Sequence, residues 1–335
     1  MMLDVFNSDA FHLTNLVQAI NTLPYVPTMI RDRGLFAQQG VTTTTVMVEM
    51  QGDVLALVPT APRGAPGKPI TTGRRNVRPF STVHLPQTVQ LMADEVQGLR
   101  AFGSETEEEL ATAQLNRKLA IARRNLDLTI EFQRIGAIKG KVIDADGTTV
   151  HLMLFTEFGV TQQTLDMALD VDATKVFMKN VTVTRMVEDE LGGVTMTGAL
   201  VLCSSGFFDA LVSHPAIEES FKYQEAAKLR EDNRRGFRLG ENTYVEYRGS
   251  VGGTNFIEPN CAYAIPEGVP ELFTTYYAPA PYMDTVNTQG LPYYASLEFM
   301  DHNVGIHVQT QSNPLHLCSR PRAIIKLGKN AAALA

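Results

Sequence analysis

The clearest period in the chain lies between residues 104 and 135. Leu115, Leu119, Ala122, Leu126 and Ile130 recur at spacings of four, three, four and four, which puts them on one stripe of a helix. Ser104 stands where an N-cap belongs, and Glu107, three residues on, completes a capping box. Glu105, Glu107, Glu108 and Glu109 crowd the first turns, where negative charge meets the positive end of the helix dipole. Arg117, Lys118, Arg123 and Arg124 fall largely off the stripe. No proline interrupts it, and Gly136 stands at a natural C′ position. Such a helix would run roughly 45–50 Å at about 1.5 Å per residue, enough to span a domain. A coiled coil is the competing reading, and the stripe covers too few heptads to support it.

Elsewhere strands alternate with shorter helices. Residues 41–50 are β-branched and threonine-rich, Gln51-Gly52-Asp53 supplies a turn, and 54–58 predicts a second strand; 82–92 is again moderately apolar. Residues 137–145 and 148–155 flank Asp146-Gly147 as a β-hairpin. A helix over 173–191 is stopped by Gly192-Gly193, and 196–203 is an apolar strand. It feeds a short helix, 207–213, stopped by His214-Pro215, with a second short helix over 216–229. From Tyr244 onward the pattern is strand and loop, broken by Pro266, Pro270, Pro279, Pro281 and Pro292. The class is α+β, with no regular βαβ rhythm and no internal repeat.

Composition and charge change this picture in a few places. At 335 residues, with 44% hydrophobic and 19% charged positions, the chain is globular, with room for two or three units or one domain with extensions. No run of about 18 apolar residues exists, so no spanning helix is expected. The opening MMLDVFNSDAF carries an early acid and no basic stretch, unlike a signal peptide. Cys203, Cys261 and Cys318 are far apart and odd in number; they suit a reducing cytoplasm, packing as small hydrophobes. A formal net charge of -7 argues against a protein that wraps nucleic acid, though not against a surface that faces it.

That acidic charge is unevenly placed. Between Asp53 and Asp94 there is no acid, while Arg63, Lys68, Arg74, Arg75 and Arg78 give a local +5. Pro59, Pro62, Pro66, Pro69, Pro79 and Pro86, with Gly64, Gly67 and Gly73, keep this stretch from burying a core of its own. Composition alone allows a solvated linker. The strands predicted on both flanks favour an ordered arm, which needs a partner surface to hold it.

Candidate chemistry is sparse. Asp170-Val171-Asp172-Ala173-Thr174 fits the DxDxT box of Mg-dependent phosphotransferases, in which a buried strand ends at the first Asp. Here residues 162–169 read as a helix or turn, and the plainer role is an N-cap at Asp172. Asp144-Ala145-Asp146-Gly147 resembles the start of a calcium loop, but position five is Thr148 and no Glu closes it; a turn is the simpler reading. Leu202-Cys203-Ser204-Ser205-Gly206 sits where a nucleophile elbow would, yet Leu202 takes the first glycine position, leaving helix capping by Ser204 or Ser205. The seven histidines are scattered; His302 and His307, in a loop and a strand, make no metal signature. No catalytic residue, cofactor or metal site is expected.

Several long segments carry a family resemblance in one collinear order. Residues 16–36, LVQAINTLPYVPTMIRDRGLF, resemble the amphipathic N-arm of the lambda-type phage major capsid protein family (major capsid protein E). Residues 41–49, VTTTTVMVE, and 57–67, LVPTAPRGAPG, resemble its extended loop. Residues 94–104, DEVQGLRAFGS, and 134–147, RIGAIKGKVIDADG, resemble the two ends of its long helix and the hairpin after it. FFDALVSHP at 207–215, YVEYRG at 244–249, TVNTQGLP at 285–292 and QSNPLHLCSRP at 311–321 follow in the family's order.

The resemblance implies the Hong Kong 97-like phage capsid fold: an N-arm (1–38), an extended loop (39–93), a spine helix and peripheral domain (94–191), an axial domain (192–303), and a return to the peripheral domain with the tail (304–335). It implies a shell subunit of a tailed-phage virion, assembled in the host cytoplasm into hexamers and pentamers of an icosahedral head around dsDNA. The implied partners are other copies of the chain, a separate scaffolding protein, a portal and an optional decoration protein. DNA on the inner face would be met without sequence reading, and no membrane is involved. An encapsulin-like storage shell would share the fold, and the Mg-dependent phosphatase is the remote alternative.

The N-arm resemblance begins within the first few residues, so no large maturation cleavage is expected. In some relatives a loop lysine forms an isopeptide bond; Lys68, the only lysine of the first 117 residues, is read instead as an exposed, solubilising lysine. The candidate inter-subunit contact pairs Arg63, Arg74 or Arg75 of one copy with Glu105, Glu107, Glu108 or Glu109 of its neighbour, with each set serving only its own loop or helix as the alternative.

Overall fold

The computed structural model describes residues 12–24, 28–50, 76–97, 107–221, 236–251 and 253–334. Its packing divides the chain into two units. One joins Met1–Met47, Pro79–Gln133 and Phe273–His316; the other joins Val48–Arg78, Arg134–Leu272 and Leu317–Ala335. The boundary falls within the long helix, so residues 134–191 pack with 192–272, and 304–316 and 317–334 belong to different units.

In the first unit an amphipathic helix, Leu13–Thr22, turns Leu16, Val17 and Ile20 inward. Leu16 and Ile20 meet Leu115, Leu119, Leu126 and Ile130, the stripe read from the sequence, together with Leu91, Tyr293, Ile306 and Val308. Leu91, Ile306 and Val308 come from a three-stranded sheet in which Gly305–Ser312 pairs antiparallel with both Leu85–Met92 and Tyr294–Phe299. Val308 stands opposite Val89 on one side and Leu297 on the other, so the strand's alternation sets the buried face. In a separate ladder Ala37–Gly40 runs parallel to Phe273–Tyr277. The expected arm has strands at its base: Thr45–Met50 pairs with Asn76–Ser81. The predicted turn at 51–53 and strand at 54–58 lie outside the described residues.

The long helix is Glu107–Lys139, which carries it past the predicted end. Gly136 is not its terminator. A Cβ at Gly136 would stand 2.8 Å from the Lys141 carbonyl oxygen, so glycine is there to let the following strand pass close by. The helix ends at Gly140, whose φ of +79° is the left-handed turn that glycine permits. Ser104, the predicted cap, lies outside the described residues.

The second unit is built on a six-stranded mixed sheet in the order Gln163–Asp166, Ile325–Gly328, Cys261–Glu267, Gly198–Cys203, Asn242–Glu246, Phe237–Leu239. Its central strand, Gly198–Cys203, is buried at every position, as an apolar run covered on both faces must be. Val183, Val187 and Leu191 of helix Val176–Leu191 and Phe207, Phe208 and Leu211 of helix Ser205–Val212 complete the core. The 146–147 hairpin is present as Lys141–Ile143 with Val150–Met153. It is shorter than expected because 137–139 belong to the long helix and Leu154–Phe158 forms a helical turn.

Two expectations are corrected here. Residues 163–166, read as helix or turn, form an edge strand parallel to Ile325–Gly328; a partner distant in sequence overrides a polar, pattern-poor segment. Helix 176–191 starts after 173, because Thr174 instead closes a turn, donating its backbone N–H to Val171 O and its hydroxyl to Ala168 O. The helix expected over 216–229 begins at Pro215 and is described to Phe221, with proline at its first position. All three cysteines are free and buried; burial pushes the Cys318 thiol up to about 12. Among the described residues no helix is long and apolar enough to cross a membrane.

Candidate assembly surface

The N-terminal segment is fastened to the long helix by a buried polar cluster that the sequence pattern did not reveal. Arg31 Nη1 donates to Asp127 Oδ1 at 2.9 Å and to the Tyr293 hydroxyl at 3.4 Å. The Tyr293 hydroxyl donates in turn to Asp127 Oδ1. Arg123 Nε lies 3.9 Å from Asp127 Oδ2, its guanidinium sits 4.8 Å from the Tyr293 ring centre, and its Nη1 donates to Ile20 O. One helical turn further, Glu131 accepts from the Thr28 hydroxyl at 2.9 Å and from Ile30 N at 3.0 Å. Asn21 Nδ2 adds bonds to Val17 O and Tyr293 O. Burial and the Asp127 charge push the Tyr293 phenol above its usual range, which keeps it a donor.

Arg123 therefore corrects the sequence reading, which put it largely off the apolar stripe: it is 4% exposed. The signal available was Arg123, Asp127 and Glu131 at successive spacings of four, beside the apolar stripe. Charged residues so close to a core need partners, and the 28–31 segment with Tyr293 supplies them.

The base of the arm is held by simpler means. Thr82 N and its hydroxyl both donate to Thr44 O, and Lys118 pairs with Glu95 and with the Gln90 carbonyl. Lys118 thus ties the strand leaving the arm to the long helix. Of the arm's five cations, Arg78 lies 3.6 Å from Glu157, an exposed pair. Arg63, Lys68, Arg74, Arg75 and Glu105 lie outside the described residues. The backbone of Glu107, Glu108 and Glu109 forms the first turn of the long helix, and their side chains lie outside the description.

Strand Gln163–Asp166 stops short of Asp170, so the DxDxT geometry is not formed, and Asp170 only accepts from Asn330 Nδ2 at 3.3 Å. Nor does Asp172 cap the following helix, whose N-cap is Lys175. Asp146 makes the simple turn: Oδ1 accepts from Thr148 N and Thr149 N, each at 2.8 Å, and Oδ2 from the Thr149 hydroxyl. These bonds hold its carboxyl well below the usual range. Ser204 stands at the N-cap of Ser205–Val212 without a side-chain capping bond. Among the described residues no three His, Cys, Asp or Glu side chains converge as metal ligands would.

Residues 12–329 match the family model for phage major capsid protein E. The chain belongs to that family. It is 28% identical over 345 aligned residues to the major capsid protein of Pseudomonas phage KPP10, covering 96% of this chain and 97% of that one. Identity to the major capsid protein of Salmonella phage Felix O1 is 24%, over 98% and 99% of the two chains. Among solved structures, the capsid of a native GTA particle superposes with a TM-score of 0.52 at 12% identity, over 92% of this chain and 93% of that one. The fold is the Hong Kong 97-like capsid fold that the resemblance implied, and the chain is a virion structural protein. Neither the storage shell nor the phosphatase is favoured by these likenesses.

Proposed function

We propose that copies of this chain form the hexamers and pentamers of an icosahedral tailed-phage head that encloses dsDNA, and that the chain has no catalytic role. The observation that carries this is a family match running from residue 12 to residue 329. In this reading residues 1–38 act as the N-arm and 39–93 as the extended loop. Residues 94–191 act as the spine helix and peripheral domain, 192–303 as the axial domain, and 304–335 as the return to the peripheral domain and the tail. The basic arm crosses to a neighbour, where Arg63, Arg74 or Arg75 meets Glu105, Glu107, Glu108 or Glu109. A separate scaffolding protein guides closure, a portal occupies one vertex, and an optional decoration protein binds outside. The inner face meets DNA without reading its sequence. Sedimentation of the chain co-expressed with its genomic neighbours tests this: shell-sized particles are expected, and a chain that stays monomeric under every such condition contradicts it.

A further inference from the structure

The long helix carries a second stripe, on the side away from the core. Arg117, Ile121, Arg124 and Leu128 follow one another at spacings of four, three and four, roughly opposite Leu119 and Leu126. All four are exposed, Ile121 at 57% and Leu128 at 38%. Lys118 and Arg123, the cations beside them, are engaged with Glu95 and Asp127, whereas Arg117 and Arg124 face water. From residue 112 to residue 130 the only acid is Asp127, which is buried. In a chain of net charge -7 this exposed stripe is purely cationic.

The helix does not need this pattern for itself. A Glu at 121 or 128 would form helix at least as well as Ile and would pair with the arginine four residues before it. Instead, apolar and cationic side chains alternate at the three-four spacing that a second helix packs against. The apolar pair supplies the anchors, and the two arginines select carboxylates on what lies over them.

Other occupants fit less well. A DNA duplex presents one charge about every 1.7 Å, and two arginines about 10 Å apart with an isoleucine between them answer few of these. Among the helices of this chain whose exposed faces are described, Leu13–Thr22 carries no acid and Ser205–Val212 carries one. Val176–Leu191 has Arg185 on its exposed side, which the stripe would repel.

We propose that the Arg117–Ile121–Arg124–Leu128 stripe docks an acidic amphipathic helix of a different protein. Its apolar side chains would lie on Ile121 and Leu128, and its carboxylates would reach Arg117 and Arg124. The proposal rests on the capsid reading, in which the helix belongs to the scaffolding protein that guides closure.

Site-directed photo-cross-linking tests it. The chain, with p-benzoylphenylalanine replacing Ile121, is co-expressed with its genomic neighbours, and light joins that position to whatever covers it. Mass spectrometry of the joined peptides is expected to find one segment of one other gene product, with apolar residues at three-four spacing and Asp or Glu beside them. Arg117→Glu with Arg124→Glu should cut that adduct by on the order of tenfold, and changing the captured segment's acids to Lys should restore it. Both arginines are exposed, so circular dichroism and Tm of the subunit should not change. Shells without an adduct, an adduct to this chain itself, a captured segment without acids, or an adduct indifferent to the charge reversal overturns the proposal. So does phenylglyoxal that modifies Arg117 and Arg124 freely in DNA-free shells and is blocked only in DNA-filled heads, which assigns the stripe to phosphate. If the unsubstituted chain forms no shells, the capsid reading has failed and the proposal falls with it; shells that form without the adduct sink the proposal alone.

Discussion

Arg31 and Asp127, 96 residues apart in sequence, are joined by a 2.9 Å hydrogen-bonded ion pair. Asp127 is the hub of that contact, since Tyr293 and Arg123 also address its carboxylate. Asp127→Ala leaves two guanidinium groups and a phenol facing a buried gap, and should cost about 3 kcal/mol of stability. Tyr293→Phe removes one hydrogen bond and should cost about 1 kcal/mol. Denaturant unfolding measures both. Amide exchange should show the loss concentrated in residues 13–32, because those residues are what the hub holds.

The two glycines at the end of the long helix give predictions of opposite origin. In an isolated helix Gly136→Ala would stabilise by about 1 kcal/mol. Here the added Cβ meets Lys141 O at 2.8 Å, so the sign should reverse, with a loss of about 1–2 kcal/mol. Gly140→Ala should be worse, because φ is +79° and the new Cβ would stand 2.1 Å from the Phe155 ring. Thermal unfolding of the two variants should rank them in that order.

These residues also show what the sequence could tell. Leu115 to Ile130 declared a helix because the 3.6-residue period survives any fold it is placed in. Gly136 was read as a terminator because its close neighbour, Lys141 O, is visible only in three dimensions. Strand 163–166 escaped notice because its partner, Ile325–Gly328, lies far along the chain and its own pattern is polar. The Arg31–Asp127 hub was half legible: charges beside an apolar stripe announce a partner, but not which one. The proposed pairing of arm arginines with helix glutamates rests on a charge imbalance between arm and helix, which is all the sequence offers for it.

Acid sensitivity should map in part to Glu258. Burial alone would raise its pKa, but Lys139, paired with it and donating to it, and the Tyr263 hydroxyl at 2.9 Å outweigh that and lower it. A carboxylate whose folded pKa lies below its unfolded value contributes stability that is present above the unfolded pKa and is lost as pH falls through the folded one. Stability should therefore decline below about pH 4.5, the range where an ordinary Glu titrates. Glu258→Gln should be less stable at neutral pH and show a shallower decline, measured as Tm against pH.

Charge reversal tests the arm pairing. Arg74→Glu with Arg75→Glu should weaken assembly, more at low salt, where screening is least. Adding Glu107→Lys and Glu108→Lys in the same chain should restore part of it. Single exposed pairs are worth at most about 1 kcal/mol, but a shell repeats them many times. Light scattering of assembly reactions decides it: a fourfold variant that assembles no better than the arginine variant removes the pairing.

The central claim, that this chain tiles a closed phage head, is tested most directly by cryo-electron microscopy of particles formed when it is expressed with its genomic neighbours. Icosahedral shells of hexamers and pentamers are expected, with the basic arm after Met50 of each copy lying over a neighbouring copy. Open filaments, discrete small oligomers, or closed shells in which every arm folds back on its own subunit would contradict it.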